Sequence, residues 1–225
     1  MIIKSKLVHS LINIKGIKKL LCSNRLLSRI YFEYLYFRRD PYFIVDSALR
    51  DEKMSAVDKA FGLVEGLKVK NALEIGCGNG KLSHYVAAIS ENVLAIDISE
   101  NAIKWARKIN KCMPNVQYQR TDMITDDFGS KKFDFIFCSE VLYYLDRSQL
   151  PNVILKIISL LKPNGKVLLV HSRSVKDDSN SAGLTLKEFG AKTVHEIFIN
   201  APELEKEQDI IEERYRYTLL RRHLL

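Results

Sequence analysis

The residues whose types and spacing could do chemistry are concentrated in 71–80, Asn-Ala-Leu-Glu-Ile-Gly-Cys-Gly-Asn-Gly. Ala72, Leu73 and Ile75 read as a short buried strand that carries Glu74 and stops at Gly76. The amphipathic run from Lys81 to Ser90 reads as a helix, so its unpaired N–H groups would face whatever occupies the turn. Glycine at 76, 78 and 80 permits positive φ and lets the backbone approach a ligand closely. The apolar run from Val93 to Ile98 then places Asp97 at a strand end, seventeen residues after Gly80, about where an acidic side chain receives ribose hydroxyls in a βαβ nucleotide site. A phosphate-cradling loop is excluded, because Leu82 follows Gly80-Lys81 and Ile75 stands where the first glycine of that loop must be. The dinucleotide pattern G-x-G-x-x-G fits only weakly, since the glycines are spaced two and two. A plain strand-to-helix turn would explain the glycines but not Glu74 and Asp97 with them.

Further candidates fall at later strand ends. Val116 to Arg120 reads as a strand leading to Thr121-Asp122-Met123, and Phe133 to Cys138 as one leading to Ser139-Glu140-Val141-Leu142-Tyr143-Tyr144. Lys166 to His171 reads as a strand that ends in His171-Ser172-Arg173. Ligands of an open α/β sheet lie outside the carboxyl ends of its strands, so Glu140, Tyr143 and His171 would share one edge and could accept a proton there. The bland readings are a solvated turn for Asp122, which has Asp126 and Asp127 beside it, a packing role for Trp105, and a structural role for a lone His171.

The elements that must position these groups follow the same pattern. Asp51 to Gly66 reads as a helix with Met54, Val57, Ala60, Phe61 and Val64 on one face. Ser99 can cap a helix that runs through Asn110 with Ala102, Ile103 and Ala106 inward. A helix from Arg147 to Leu161 should stop at a turn, Lys162-Pro163-Asn164-Gly165, and a helix from Thr185 to Ile199 precedes a terminal antiparallel pair within Asp209 to Arg222. Strands alternating with helices over 225 residues imply one α/β domain.

The net charge of +8 is local. Residues 1–39 hold nine Lys or Arg and one acid, Glu33, whereas 40–225 balance to zero. Ile3, Leu7, Leu11, Ile14, Ile17 and Leu21 recur at helical spacing with the lysines largely elsewhere, so 1–39 is expected to be a basic amphipathic N-terminal extension and 40–225 the folded domain, with the boundary at Asp40-Pro41. The extension could contact an anionic membrane surface peripherally through residues 1–30, bind a partner, pack on its own domain, or be a leader. Basicity confined to an appendage argues against nucleic acid as partner. Cys22, Cys77, Cys112 and Cys138 lack ligand spacing, so no metal is expected, and reduced thiols place the protein in the cytoplasm, peripheral at a membrane where the extension attaches.

Glu74 followed by Gly76, Gly78 and Gly80, with Asp97 after the next strand, resembles the first motif of class I S-adenosylmethionine-dependent methyltransferases. That resemblance implies a Rossmann-like, mostly parallel seven-stranded sheet with helices on both faces. It implies S-adenosylmethionine as cofactor, held by Glu74, Gly76, Cys77, Gly78, Gly80, Asp97, Ile98 and Ser139, with Asp122 against the adenine amino group and the backbone of Met123 on the ring. Those members that act on base or glutamine amines carry an Asn- or Asp-Pro-Pro-aromatic motif where this chain has Ser-Glu-Val-Leu, so a base amine is disfavoured as acceptor.

Asp40-Pro41-Tyr42, Ala72 to Gly78, Ser139 to Leu145, Val170-His171-Ser172-Arg173 and Val194-His195-Glu196 together resemble the nodulation protein S (NodS-like) methyltransferases over 40–222. The resemblance implies a small-molecule or oligosaccharide acceptor, the free amine of an amino sugar or chito-oligosaccharide, with Glu140, Tyr143 or His171 taking the proton. A protein, lipid, carboxylate or hydroxyl acceptor is the alternative, as is a non-catalytic, membrane-tethered partner of a glycan-modifying complex.

Overall fold

The structure, a computed structural model, describes residues 23–38, 47–173 and 190–223. The basic helix expected over 2–21, the boundary at Asp40-Pro41 and the start of the helix expected from Thr185 lie outside the described residues. Along the chain come α1 (Arg25–Arg38), α2 (Ser47–Gly62), β1 (Val69–Ile75), α3 (Ser83–Ile89), β2 (Ser90–Asp97), α4 (Glu100–Ile109), β3 (Val116–Arg120) and β4 (Phe133–Ser139). A short 3₁₀ turn (Leu142–Tyr144), α5 (Leu150–Leu160), β5 (Leu161–Ser172), α6 (Ala191–Ile199), β6 (Leu204–Ile211) and β7 (Tyr215–Arg222) complete it.

The seven strands form one sheet in the order β3-β2-β1-β4-β5-β7-β6. Strands β1 to β5 pair in parallel, and β7 runs antiparallel to both β5 and β6. This is the mostly parallel seven-stranded α/β sheet that the resemblance to class I methyltransferases implies. Alternation along the strands feeds two cores: Leu73, Ile75, Ile136 and Cys138 pack with Ile154, Ile157 and Phe198 on one face. Ala72, Ala95, Phe135 and Phe137 pack with Val57, Ala60, Val86 and Ile103 on the other. The order of connection reverses between β1 and β4, and the crevice at that switch point lies outside their carboxyl ends.

Helix α4 begins as its sequence indicates: the Ser99 hydroxyl accepts from the backbone N–H of Ala102 at 3.2 Å, and Ala102, Ile103 and Ala106 are buried. One expectation changes. Helix α5 ends at Leu160, ahead of the Lys162 to Gly165 segment, which makes no free turn; the chain is already extended from Leu161, which pairs with Phe133. The register slips before Lys166 pairs with Phe135, and Asn164 takes φ 60 within the irregularity.

Candidate active site

A cavity of about 330 Å³ opens at the carboxyl ends of β1, β2 and β4. Glu74, Gly76, Cys77, Gly78, Asp97, Ile98, Met123, Ser139 and Glu140 line it, so most residues singled out in the sequence are brought to one site. Gly76 and Gly78 take φ of 72 and 56. A Cβ on Gly76 would stand 2.7 Å from Cγ2 of Val141, and one on Gly78 would stand 2.6 Å from the Tyr36 hydroxyl, so the turn is closed to side chains.

Asp97 holds that turn in place. Its Oδ2 accepts from the N–H of Gly78 at 3.0 Å and its Oδ1 from the N–H of Ser99 at 2.9 Å. Glu74 is buried beneath the turn and accepts the Ser83 hydroxyl at 2.6 Å. Burial pushes Glu74 up to about 7, with Asp97 adding to the rise and Ser83 opposing it. Burial likewise pushes Asp97 up to about 6, against the two backbone donors. Ser139 and Thr121 line the same cavity, and their buried hydroxyls have no hydrogen-bond partner among the described residues. A buried carboxylate, a half-buried one and two unanswered hydroxyls around a bare backbone turn make a receptor for a polar ligand rich in hydroxyl or amine groups.

Part of the wall comes from residues within 1–39, the segment expected to be an extension. Arg25, Phe32 and Tyr36 of α1 line the cavity. The Glu33 carboxylate clasps the start of α4, accepting from Glu100 N at 2.7 Å, from Asn101 N at 3.0 Å and from the Ser99 hydroxyl at 3.0 Å. A negative charge there also complements the helix dipole. The Trp105 indole N–H donates to the carbonyl of Tyr36 at 3.1 Å. The sequence signal was present in Glu33, the one acid of 1–39, and in the aromatic cluster Tyr31 to Phe37. Arg214 and Tyr215 also line the site, because antiparallel β7 starts at the edge where the parallel strands end.

Four candidates stand elsewhere. Gly80 stands between two lining residues, Asn79 and Lys81, without lining the cavity itself, and its carbonyl accepts from the Asn110 amide at 2.9 Å. Asp122 turns to Arg25, which bonds both of its oxygens, at 2.8 and 3.0 Å, while Thr121 and Met123 on either side face the cavity. Tyr143 is fully buried behind the wall, with its hydroxyl 3.5 Å from Ser172 Oγ. Burial, with Glu140 next, raises the Tyr143 phenol far above its ordinary value.

His171 is buried as well and lies 3.1 Å, Nδ1 to Nε2, from His195. His195 Nδ1 is 2.6 Å from Thr218 Oγ1, which donates to Asp209 at 2.8 Å, and Arg216 holds Asp209 with two bonds. With the Thr218 proton directed to Asp209, His195 must donate from Nδ1 and accept at Nε2, so His171 donates from Nδ1. Burial first, and His171 next, pull His195 well below the ordinary imidazole range, which keeps it neutral. Of the three proton-acceptor candidates, Glu140 alone borders the cavity. It takes φ 58, an uncommon conformation for glutamate, and its carboxylate accepts from the backbone N–H of Ser172.

Residues 72–165 match the family model described as "Methyltransferase domain". The chain is 33% identical over 102 residues to a ubiquinone biosynthesis O-methyltransferase of Coxiella burnetii, covering 45% of this chain and 43% of that protein. It is 25% identical over 138 residues to nodulation protein S of Azorhizobium caulinodans, covering 60% and 64%. The chain thus spans less than half the length of the first of these relatives. In structure it superposes with TM-score 0.71 on the N-methyltransferase NodS from Bradyrhizobium japonicum in complex with S-adenosyl-L-homocysteine, at 24% identity, covering 87% of this chain and 98% of that one.

Proposed function

We propose that this chain, which belongs by fold to the class I methyltransferases, uses S-adenosylmethionine to methylate the free amine of a small polar acceptor, an amino sugar or chito-oligosaccharide. The observation that carries the cofactor reading is the pairing of buried Glu74 with half-buried Asp97 around the bare Gly76 to Gly78 turn. Those groups fit an amino acid and a ribose: Glu74 faces a cationic head, Asp97 receives hydroxyl donors, and the Thr121 and Ser139 hydroxyls are open to further polar contact. Held by these groups, S-adenosylmethionine would supply an electrophilic methyl group on a positively charged sulfur, for transfer to the acceptor nitrogen with the neutral thioether as leaving group. The chain's own task is chiefly to hold the two partners aligned and exclude water, where positioning contributes several kcal/mol.

Glu140 sits on the acceptor side with Tyr144 and Tyr215 beside it in the lining, and its carboxylate can take the amine proton. Tyr143 and His171 act behind it, as supports of the wall. Nodulation protein S and the N-methyltransferase NodS support nitrogen as the acceptor; the O-methyltransferase relative favours a second reading, a hydroxyl or carboxylate acceptor. Competition decides. Free-amine sugars should be methylated in preference to their N-acetylated forms, with a rate that rises through a pH of about 8, where an α-type amine loses its proton. Equal methylation of both forms, or reaction only with a hydroxyl or carboxylate compound, would discard the amine. Titration calorimetry with S-adenosylmethionine separates either enzyme reading from a non-catalytic partner.

The pH dependence of cofactor binding follows from the two carboxylates. Asp97 and Glu74 hold protons up to about 6 and about 7 in the free pocket, and the ligand addresses their ionised forms. Affinity should therefore be greatest above the higher value and fall as pH drops, by up to about tenfold per unit for each group once below its own value. Calorimetry across that range checks this; an affinity flat down to pH of about 5 would remove both carboxylates from the ligand's contacts.

A further inference from the structure

Helix α1 presents two working faces. Its inner face carries Arg25, Phe32 and Tyr36 to the cavity, with Glu33 clasping α4 at its edge. Its outer face carries Leu26, Ile30, Tyr34 and Phe37, recurring at intervals of four, four and three and exposed by 65%, 54%, 51% and 69%. Among the described residues seven large apolar side chains are this exposed, and these four share one helical stripe whereas the other three are scattered. Singly exposed apolar residues need no explanation, but a contiguous stripe of them does.

We propose that this stripe docks on an anionic lipid surface, and that docking steadies the cofactor pocket through the inner face of the same helix. The charge on the page selects this occupant. All of the net +8 belongs to residues 1–39, and the body after them is neutral. Arg29 is exposed beside the stripe, and Glu33, the one acid of the region, is consumed at the α4 terminus. Residues 1–22 add Lys4, Lys6, Lys15, Lys18 and Lys19 and no acid to the charge on this side of the chain. A second copy of α1 would bring the same like charges together. An anionic bilayer answers the apolar stripe and the cations at once, and aromatic residues such as Tyr34 and Phe37 suit the headgroup boundary. Among the described residues no helix is long and apolar enough to cross a membrane.

Coupling to the pocket follows from the rigidity of one helix. Docking holds α1 in the position where Arg25 engages Asp122, Glu33 caps α4 and Tyr36 stands over Gly78. A ligand that needs that wall should then bind more tightly on the membrane, and by reciprocity should raise vesicle affinity by the same factor. The docking half stands on the exposed stripe and the charge of residues 1–39; the coupling half rests on the cofactor reading above.

The test uses the full chain with vesicles of phosphatidylcholine alone and of phosphatidylcholine mixed with phosphatidylserine. Sedimentation should require phosphatidylserine, weaken with added salt, and fall by about tenfold or more in Ile30→Glu/Phe37→Glu. Tyr34→Glu, a single exposed change, serves as the second variant, and unchanged circular dichroism and cofactor binding without vesicles certify that each variant is folded. Phosphatidylserine vesicles should lower the Kd for S-adenosylmethionine several-fold in the natural chain and leave it unchanged in the variants. Docking is overturned if the variants sediment like the natural chain, if neutral vesicles serve as well, or if the stripe instead supports a dimer or binds an oligonucleotide while vesicles are ignored. Docking without any change in Kd overturns the coupling alone, and a chain that sediments but never binds S-adenosylmethionine overturns the cofactor reading and leaves docking intact.

Discussion

Asp97→Ala is expected to weaken S-adenosylmethionine binding by a factor of about 10² or more while the sheet persists. Two losses combine. The carboxylate is placed to receive ribose hydroxyls, and charge-assisted bonds of that kind are worth about 1.5 to 3 kcal/mol each. The same carboxylate also accepts from Gly78 N and Ser99 N, so its removal frees the turn that the ligand must meet and leaves two backbone donors unanswered. Stability should change less than affinity, because a carboxylate pushed up to about 6 by burial is itself costly to keep ionised at neutral pH. Calorimetry on the folded variant reads the result, with circular dichroism confirming the fold. An affinity within twofold of the natural chain would remove Asp97 from the site.

The fold was legible wherever local pattern and chemistry coincided. Ala72 to Gly80 gave strand, turn and helix together because an apolar run, glycines and an amphipathic run stand in sequence, and Asp97 followed from a second apolar run with an acid at its end. Ser99 announced α4 because a cap acts within three residues.

What stayed hidden depends on distance in sequence or on parity. Glu33 meets Glu100 across 67 residues, so nothing local distinguishes a helix that walls the cavity from an appendage. Parity explains His171. Successive residues of β5 point to opposite faces, so Ser172 lines the cavity and His171 turns away to His195, although both stand at the strand end. That parity is set by the register slip near Asn164, which the sequence presented as a turn. Similarly, Leu142 and Tyr144 line the cavity while Tyr143 between them does not, a choice that the 3₁₀ turn makes and composition cannot. Asp122 stands on the expected loop, yet its side chain goes to Arg25 from a helix whose approach the sequence did not reveal.

The same placement separates the three proton-acceptor candidates in a way that experiment can read. Glu140→Gln should lower the rate of methyl transfer to an amine by a factor of about 10² at neutral pH, with KM and cofactor affinity little changed. Glutamine keeps an oxygen to accept from Ser172 N, so the wall stands while proton transfer is lost. The deficit should shrink as pH rises and the amine arrives already neutral, which a purely structural defect would not do. His171→Ala should behave differently: it empties a fully buried site and leaves His195 Nε2 without its donor, so it should cost stability, by about 1 to 3 kcal/mol, without this pH signature. Rate against pH for both variants, beside their denaturant midpoints, is the decisive measurement. Should His171→Ala show the pH-dependent deficit and Glu140→Gln none, the proton would be leaving through the buried histidines, and Glu140 would be only a brace for the wall.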